Sequence, residues 1–168
     1  FCFAMKCVER QWPVYQRASQ SKSWDCSAVK EAIDAGWEMV FANELELSSI
    51  VENIQNHGIH AEAFPSDAEV VAVNLIGHSL CDLLTAIANQ QASYCHFPAA
   101  RNIDLLEMLH DELEERGNVE TEFEGLVKLE LVTQERQLDF LAVATKEDLA
   151  GRYTMVPSKS LFGGYCLP

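Results

Sequence analysis

Residues 66–90, "SDAEVVAVNLIGHSLCDLLTAIANQ", are the stretch that most constrains this chain. Two folds compete for it. Read from the left, a β-branched run leads into Gly77-His78-Ser79 and then a helical pattern, the order of a strand-to-helix nucleophile turn. Read by its ends, Ser66 and Glu69 form a capping box, in which the serine serves the Glu69 N–H and the glutamate reaches back. The second reading prevails. A nucleophile turn needs glycine on both sides of the serine, because the strained bend brings backbones together. Here Cys81 occupies the second glycine position. The base of such a triad follows the serine and an acid, and the last histidine of this chain is His110. The sheet that carries such a turn also needs several more strand–helix units than this chain supplies. The run is therefore expected to be one buried helix, with Val71, Leu75, His78 or Ser79, and Asp82 on successive turns. Ser79 is expected to bond the carbonyl of Leu75, and Gly77 to mark a close approach by another segment.

The rest of the chain reads as helix on either side. "FCFAMKCVERQW" places apolar residues at 1, 4, 5, 8 and 12, near helical spacing. Pro13 then kinks that helix or starts a new turn, and residues 19–23 read as a loop. Asp25 suits the N-cap of a second helix, whose stripe is Val29, Ile33, Trp37, Val40 and Phe41. A third helix spans about Glu46 to His57 and stops at Gly58. Pro98 suits the first turn of a fifth, carrying Ile103, Leu106, Leu109 and Leu113 and ending near residues 116–118. The sixth covers about Val119 to Thr145, with Phe123, Leu126, Val127, Leu131, Leu138 and Leu141 inward. The expected fold is all-α, a single-domain bundle of about six helices over residues 1–149. Residues 150–168, with Gly151, Pro157 and "FGG", read as an irregular C-terminal tail whose Tyr153, Leu161, Phe162 and Tyr165 are available to fold back or to dock elsewhere.

Charge narrows the function classes. The chain has 168 residues, 26 acids against 12 lysines and arginines, and a formal charge of −14. Phosphate backbones and anionic bilayers need a positive field, so neither nucleic acid nor membrane is expected as a partner. No apolar stretch is read as long enough to span a bilayer. The six cysteines include no CxxC pair, and most lie in apolar patterns. They read as free thiols of a reducing, cytoplasmic compartment.

Chemistry-bearing spacings are sparse. His78 and Cys81 lie three apart, with Asp82 four after His78, so one helix face could present all three to a metal. Glu107 and His110 give one Glu-x-x-His spacing without the second that a di-metal bundle requires. A metal-binding or enzymatic bundle built on His78, Cys81 and Asp82 is one alternative; no cofactor is expected under the leading one. That reading starts from nine acids between residues 104 and 124: Asp104, Glu107, Asp111, Glu112, Glu114, Glu115, Glu120, Glu122 and Glu124. Arg116 is the only cation among them. Such crowding costs helix stability at i,i+3 and i,i+4 spacing. It suits a solvated face, or a surface that meets a basic protein.

The segments "AMKCVERQWPVYQRASQ", "WDCSAVKEAIDAGWEMV" and "LCDLLTAIANQ" resemble the bacterial domain-of-unknown-function 416 family over roughly residues 1–145. The matching positions are Cys7, Glu9 and Arg10 (with Val8 inserted), Pro13, Tyr15, Ala32, Asp34, Trp37, Glu38 and Asp82. The likeness departs at Val8 and at the tail from Ala150. It implies an all-helical bundle and no established activity. On residue chemistry alone, Glu9 and Arg10 are expected to pair with Asp34 or Glu38, locked by Trp12, Tyr15 and Trp37.

These observations lead to an expectation of a non-enzymatic, acidic protein-binding bundle. Its concrete form is an immunity or antitoxin-like inhibitor that neutralises a basic toxin domain. A homodimerising bundle is the remaining alternative.

Overall fold

A computed structural model describes residues 1–42, 47–60, 67–115, 123–145 and 147–149. The elements are α1 (Cys2–Ser21), α2 (Ser27–Ala42), α3 (Leu47–His57), α4 (Ala68–Ala88), a 3₁₀ turn (Ala92–Tyr94), α5 (Phe97–Glu115) and α6 (Phe123–Val143). No strand occurs among the described residues. The fold is a helical bundle, as the sequence led one to expect.

The run at 66–90 becomes α4, and α4 is the hub. It packs against α1, α2, α3 and α5. Its β-branched start is held helical by Asp67, whose side chain accepts the Glu69 backbone N–H at 2.9 Å. Asp67, not Ser66, is thus the N-cap of the described helix; Ser66 itself lies outside the described residues. Lys22 ties this end to α1 through ion pairs with both Asp67 and Glu69. Val70, Val73, Ile76, Leu80, Leu83, Leu84 and Ile87 are buried around most of the circumference. The exposed residues are His78, Asp82 and Thr85 along one row, and Ala88 at the end of the helix. The expected row of Val71, Leu75, His78 and Asp82 is therefore the least buried edge of the helix, and Ser79 lies behind it. By length and composition α4 could also cross a bilayer, contrary to the expectation from sequence, but most of its span is buried among the other helices.

Glycines let backbones meet α4. A Cβ on Gly77 would stand 2.7 Å from Ile59 Cγ1 and 2.9 Å from the Gly58 carbonyl oxygen. The close approach expected at Gly77 is thus made by the segment that leaves α3. Gly58 is itself wedged, since a Cβ there would meet Val29 Cγ2 at 2.7 Å. Its backbone lacks the left-handed φ of a C-cap glycine, so close packing, not helix termination geometry, demands glycine there. The buried Tyr15 hydroxyl donates to the same Gly58 carbonyl at 3.0 Å, and burial pushes its pKa up to about 12. Just beyond, Asn74 accepts the His60 N–H at 2.8 Å and donates to the His60 carbonyl at 2.9 Å. The His60 ring stacks on Trp24 at 3.7 Å, and burial lowers its pKa.

One boundary differs from expectation. α1 runs through Pro13 and on to Ser21, so the loop shrinks to a turn with Ser23 at φ 58°. Asp25 does serve the start of α2, accepting the Ser27 N–H and hydroxyl, each at 2.9 Å. The stripe of α2 turns inward as read, with Val29, Ile33 and Trp37 buried and Val40 and Phe41 partly so. The tail from Ala150, and the expected turn at residues 116–118, lie outside the described residues.

The largest correction concerns α6. Leu131 and Leu138 are about half exposed, at 52% and 51%, whereas Glu130 is fully buried. Its carboxylate forms a bidentate pair with Arg10 of α1, Nη2 to Oε1 at 2.7 Å and Nε to Oε2 at 3.2 Å. Asn102 of α5 donates to Oε1 at 2.7 Å, and Gln134 donates there at 2.8 Å. Arg10 Nη1 donates to Gln137 at 2.7 Å, and Gln11 donates to Asn102 at 2.7 Å. Polar residues of α6 therefore face inward because α1 offers a buried guanidinium, and the leucines turn outward. Arg10 consequently does not pair with Asp34 or Glu38. Asp34 pairs with Lys30 on its own helix. Glu9 instead accepts the Trp37 indole N–H at 2.8 Å and pairs with Lys6 at 2.8 Å.

Candidate functional site

α5 carries the acidic surface. Its buried side is Asn102, Leu105, Leu106 and Leu109. Asp104, Glu107, Asp111 and Glu114 are exposed on the opposite side. Steps of three, four and three residues hold these four carboxylates within about 80° of the helix surface. At ~1.5 Å rise per residue, the row is about 15 Å long. Arg101 Nη1 pairs with Asp104 at 2.9 Å, and His110 Nε2 sits 3.2 Å from Glu114. Among the described residues Glu107 and Asp111 have no cation partner. His110 also stacks on Phe123 at 4.7 Å, which joins the end of this ridge to the start of α6, where Glu124 is exposed. Glu112 and Glu115 belong to α5, but their side chains lie outside the description, as do Glu120 and Glu122 altogether. Five of the nine expected acids are thus exposed among the described residues, four of them in a single row on α5.

The expected His78, Cys81 and Asp82 constellation separates. His78 and Asp82 are exposed, while Cys81 turns into the core. Burial, and next the Asp82 charge, push the Cys81 thiol up to about 11. Among the described residues no three His, Cys, Asp or Glu side chains gather as a metal site. Cys7 sits against Arg10, with Nη2 at 3.3 Å from Sγ, yet burial outweighs that cation and pushes its pKa up to about 12. That direction favours the neutral thiol over the nucleophilic thiolate. The five described cysteines are all free thiols.

Ser79 also departs from expectation. It is 3% exposed, and its hydroxyl has no partner among the described residues; it does not bond the Leu75 carbonyl. The feature that sequence reasoning missed is a cleft whose wall includes Ser79. Residues of α4, the 3₁₀ turn and α5 line it, enclosing about 480 Å³. Periodicity could not have found it, because its lining comes from three elements whose spacing is set by packing. The chain matches no family model, no curated protein and no solved structure.

Proposed function

We propose that this chain is a non-enzymatic binding protein, and that the ridge on α5 engages a basic protein partner. The concrete form we favour is an immunity or antitoxin-like inhibitor of a cationic toxin domain. One observation carries this reading: an exposed row of four carboxylates, of which Glu107 and Asp111 have no ion-pair partner among the described residues, on a chain of formal charge −14. A rigid helix holds the row, so the charges need little ordering on binding. Such a face speeds encounter and selects the partner. Binding energy then comes from exposed apolar groups at its borders, among them Tyr94 and Phe97 near its start.

The test is capture from native lysate at low and high salt, followed by the triple variant Glu107→Lys, Asp111→Lys and Glu114→Lys. A partner held through the ridge is basic, is retained at low salt, and is lost both at high salt and in the variant. Retention of every partner by the charge-reversed protein at low salt would remove α5 from the interface.

A second reading rests on α6. Leu131 and Leu138, seven residues apart on one flank, are about half exposed. A row at that spacing suits a helix of a second copy, which makes the chain a homodimer. Sedimentation of the wild type and of the double variant Leu131→Gln, Leu138→Gln separates this reading from the first.

A further inference from the structure

The cleft beside Ser79 has the chemistry of a ligand site. Its volume, about 480 Å³, falls within the range of small-molecule pockets. Three independent features converge on it. The first is the orphan hydroxyl of Ser79, buried and unpaired among the described residues. A buried polar atom without a partner costs stability, and such atoms in folded proteins call for a specific explanation. The oxygen itself is enclosed in the wall of the cleft, so a bound group reaches it only where that wall yields.

The second feature is charge. The α4 wall contributes Asp82, and the α5 wall contributes Arg101. Arg101 already donates to Asp104, but that bond uses only one of its five N–H donors. Thr85 donates its hydroxyl proton to the Cys81 carbonyl at 2.8 Å, so its oxygen presents lone pairs only. The α4 wall therefore offers acceptors for an ammonium group. The α5 wall offers a guanidinium, close to the positive end of a helix dipole, for a carboxylate.

The third feature is apolar. Tyr94 and Phe97 are 46% and 40% exposed, with ring centroids 5.6 Å apart. They belong to the same lining. Exposed aromatic pairs beside polar anchors serve as a platform for the body of a ligand.

The geometry points to a small zwitterion as the occupant, an amino acid with an aromatic or large apolar side chain. A simple anion meets Asp82 and the field of a strongly acidic chain. A simple cation leaves Arg101 without a new partner. A molecule carrying both charges satisfies both walls and rests on the two rings. This site adjoins the α5 ridge through Arg101, Tyr94 and Phe97, but its small-molecule binding can be measured without any protein partner.

The test uses three probes with one body: L-phenylalanine, phenethylamine, which lacks the carboxylate, and 3-phenylpropionate, which lacks the amine. Binding is followed by calorimetry and by shifts of backbone amide resonances. L-phenylalanine is expected to bind at least about tenfold tighter than either fragment, since each charge-assisted bond contributes that much or more. Its shifts should cluster at residues 79–86 and 94–101. Asp82→Asn should abolish the preference over 3-phenylpropionate, and Arg101→Gln the preference over phenethylamine. Equal affinity for all three probes would overturn the inference. So would the absence of any shift at the cleft, which would leave Ser79 to an ordered water.

Discussion

Glu130 is the residue whose loss should cost this fold most per atom removed. Its carboxylate accepts four hydrogen bonds, two from Arg10 and one each from Asn102 and Gln134. It is fully buried, and the side chain of Arg10 is 6% exposed. Replacing Glu130 with alanine leaves a guanidinium in the core with its Nε and one face of Nη2 unanswered. Its remaining partners are Gln137, the Lys6 carbonyl and the Cys7 sulfur. Asn102 loses the acceptor of its amide, whereas Gln134 keeps the Ala99 carbonyl at 3.1 Å. Breaking a buried pair from one side costs about 3–5 kcal/mol. With a urea m-value of about 2 kcal/mol/M, the midpoint falls by roughly 1.5–2.5 M. Glu130→Gln, which keeps shape and one acceptor but sets an amide N–H against a guanidinium N–H, should fall between this variant and wild type.

An uncompensated charge differs from a merely lost contact in what a second substitution does. If the cost lies in the stranded guanidinium, removing it as well should recover stability. Arg10→Met with Glu130→Met should be more stable than Glu130→Met alone, with a coupling of about 2 kcal/mol or more. Recovery stops short of wild type because the Gln137 carbonyl and the Asn102 amide N–H then lack the partners they had. Equilibrium urea unfolding of these proteins, followed by circular dichroism, measures this directly. A loss below about 1 kcal/mol for Glu130→Ala, or strict additivity in the double variant, would show that water reaches the pair and that α6 is not held by it.

Two further expectations come from close packing. Gly36→Ala and Gly77→Ala should differ in sign. At Gly36 the new methyl meets the terminal methyl and sulfur of Met5 at 2.8 and 2.9 Å and a Leu84 methyl at 3.0 Å. Met5 is flexible enough to yield, and helix propensity returns up to about 1 kcal/mol. At Gly77 the obstacle includes the Gly58 carbonyl, which cannot move alone, so about 1–3 kcal/mol should be lost. Thermal unfolding of the two variants compares them. The thiols should divide by burial as well: Cys26 and Cys95 alkylate in the native protein, while Cys7 and Cys81, pushed up to about 12 and 11, do not. At pH 8 a thiol of pKa 11 is ionised in about one molecule in a thousand. Mass spectrometry of iodoacetamide-treated protein, native and urea-unfolded, reads the difference.

How much of this is legible in the sequence depends on whether the signal is local. Caps and apolar periodicity are local, and they place α2, α3 and α5 within a residue or two and identify 66–90 as a helix despite its strand-like letters. The missing second glycine at Cys81 is local too, and the letters alone argue against a strand-to-helix turn at Ser79, which lies inside α4. The pairing of Arg10 is not local. Its nearest candidate acids in sequence are Asp34 and Glu38, but those faces of α2 are taken by Lys30 and by solvent, and the guanidinium reaches across 120 residues to Glu130. Once that pair is fixed, the phase of α6 follows. Gln134 and Gln137, four and seven residues after Glu130, must share its face, and Leu131 and Leu138, each one residue later, must turn toward solvent. A hydrophobicity pattern read without the partner helix assigns those leucines inward, because in most helices apolar residues mark the core. Here the core stripe of α6 is partly polar, and the apolar residues it displaces are left on the surface. The same logic explains why the acidic row is partly visible in the sequence and the Ser79 cleft is not. Carboxylates repeating on one helix announce their own geometry, whereas a cleft assembled from α4, a 3₁₀ turn and α5 exists only after the buried network has set where α5 lies against α1 and α6.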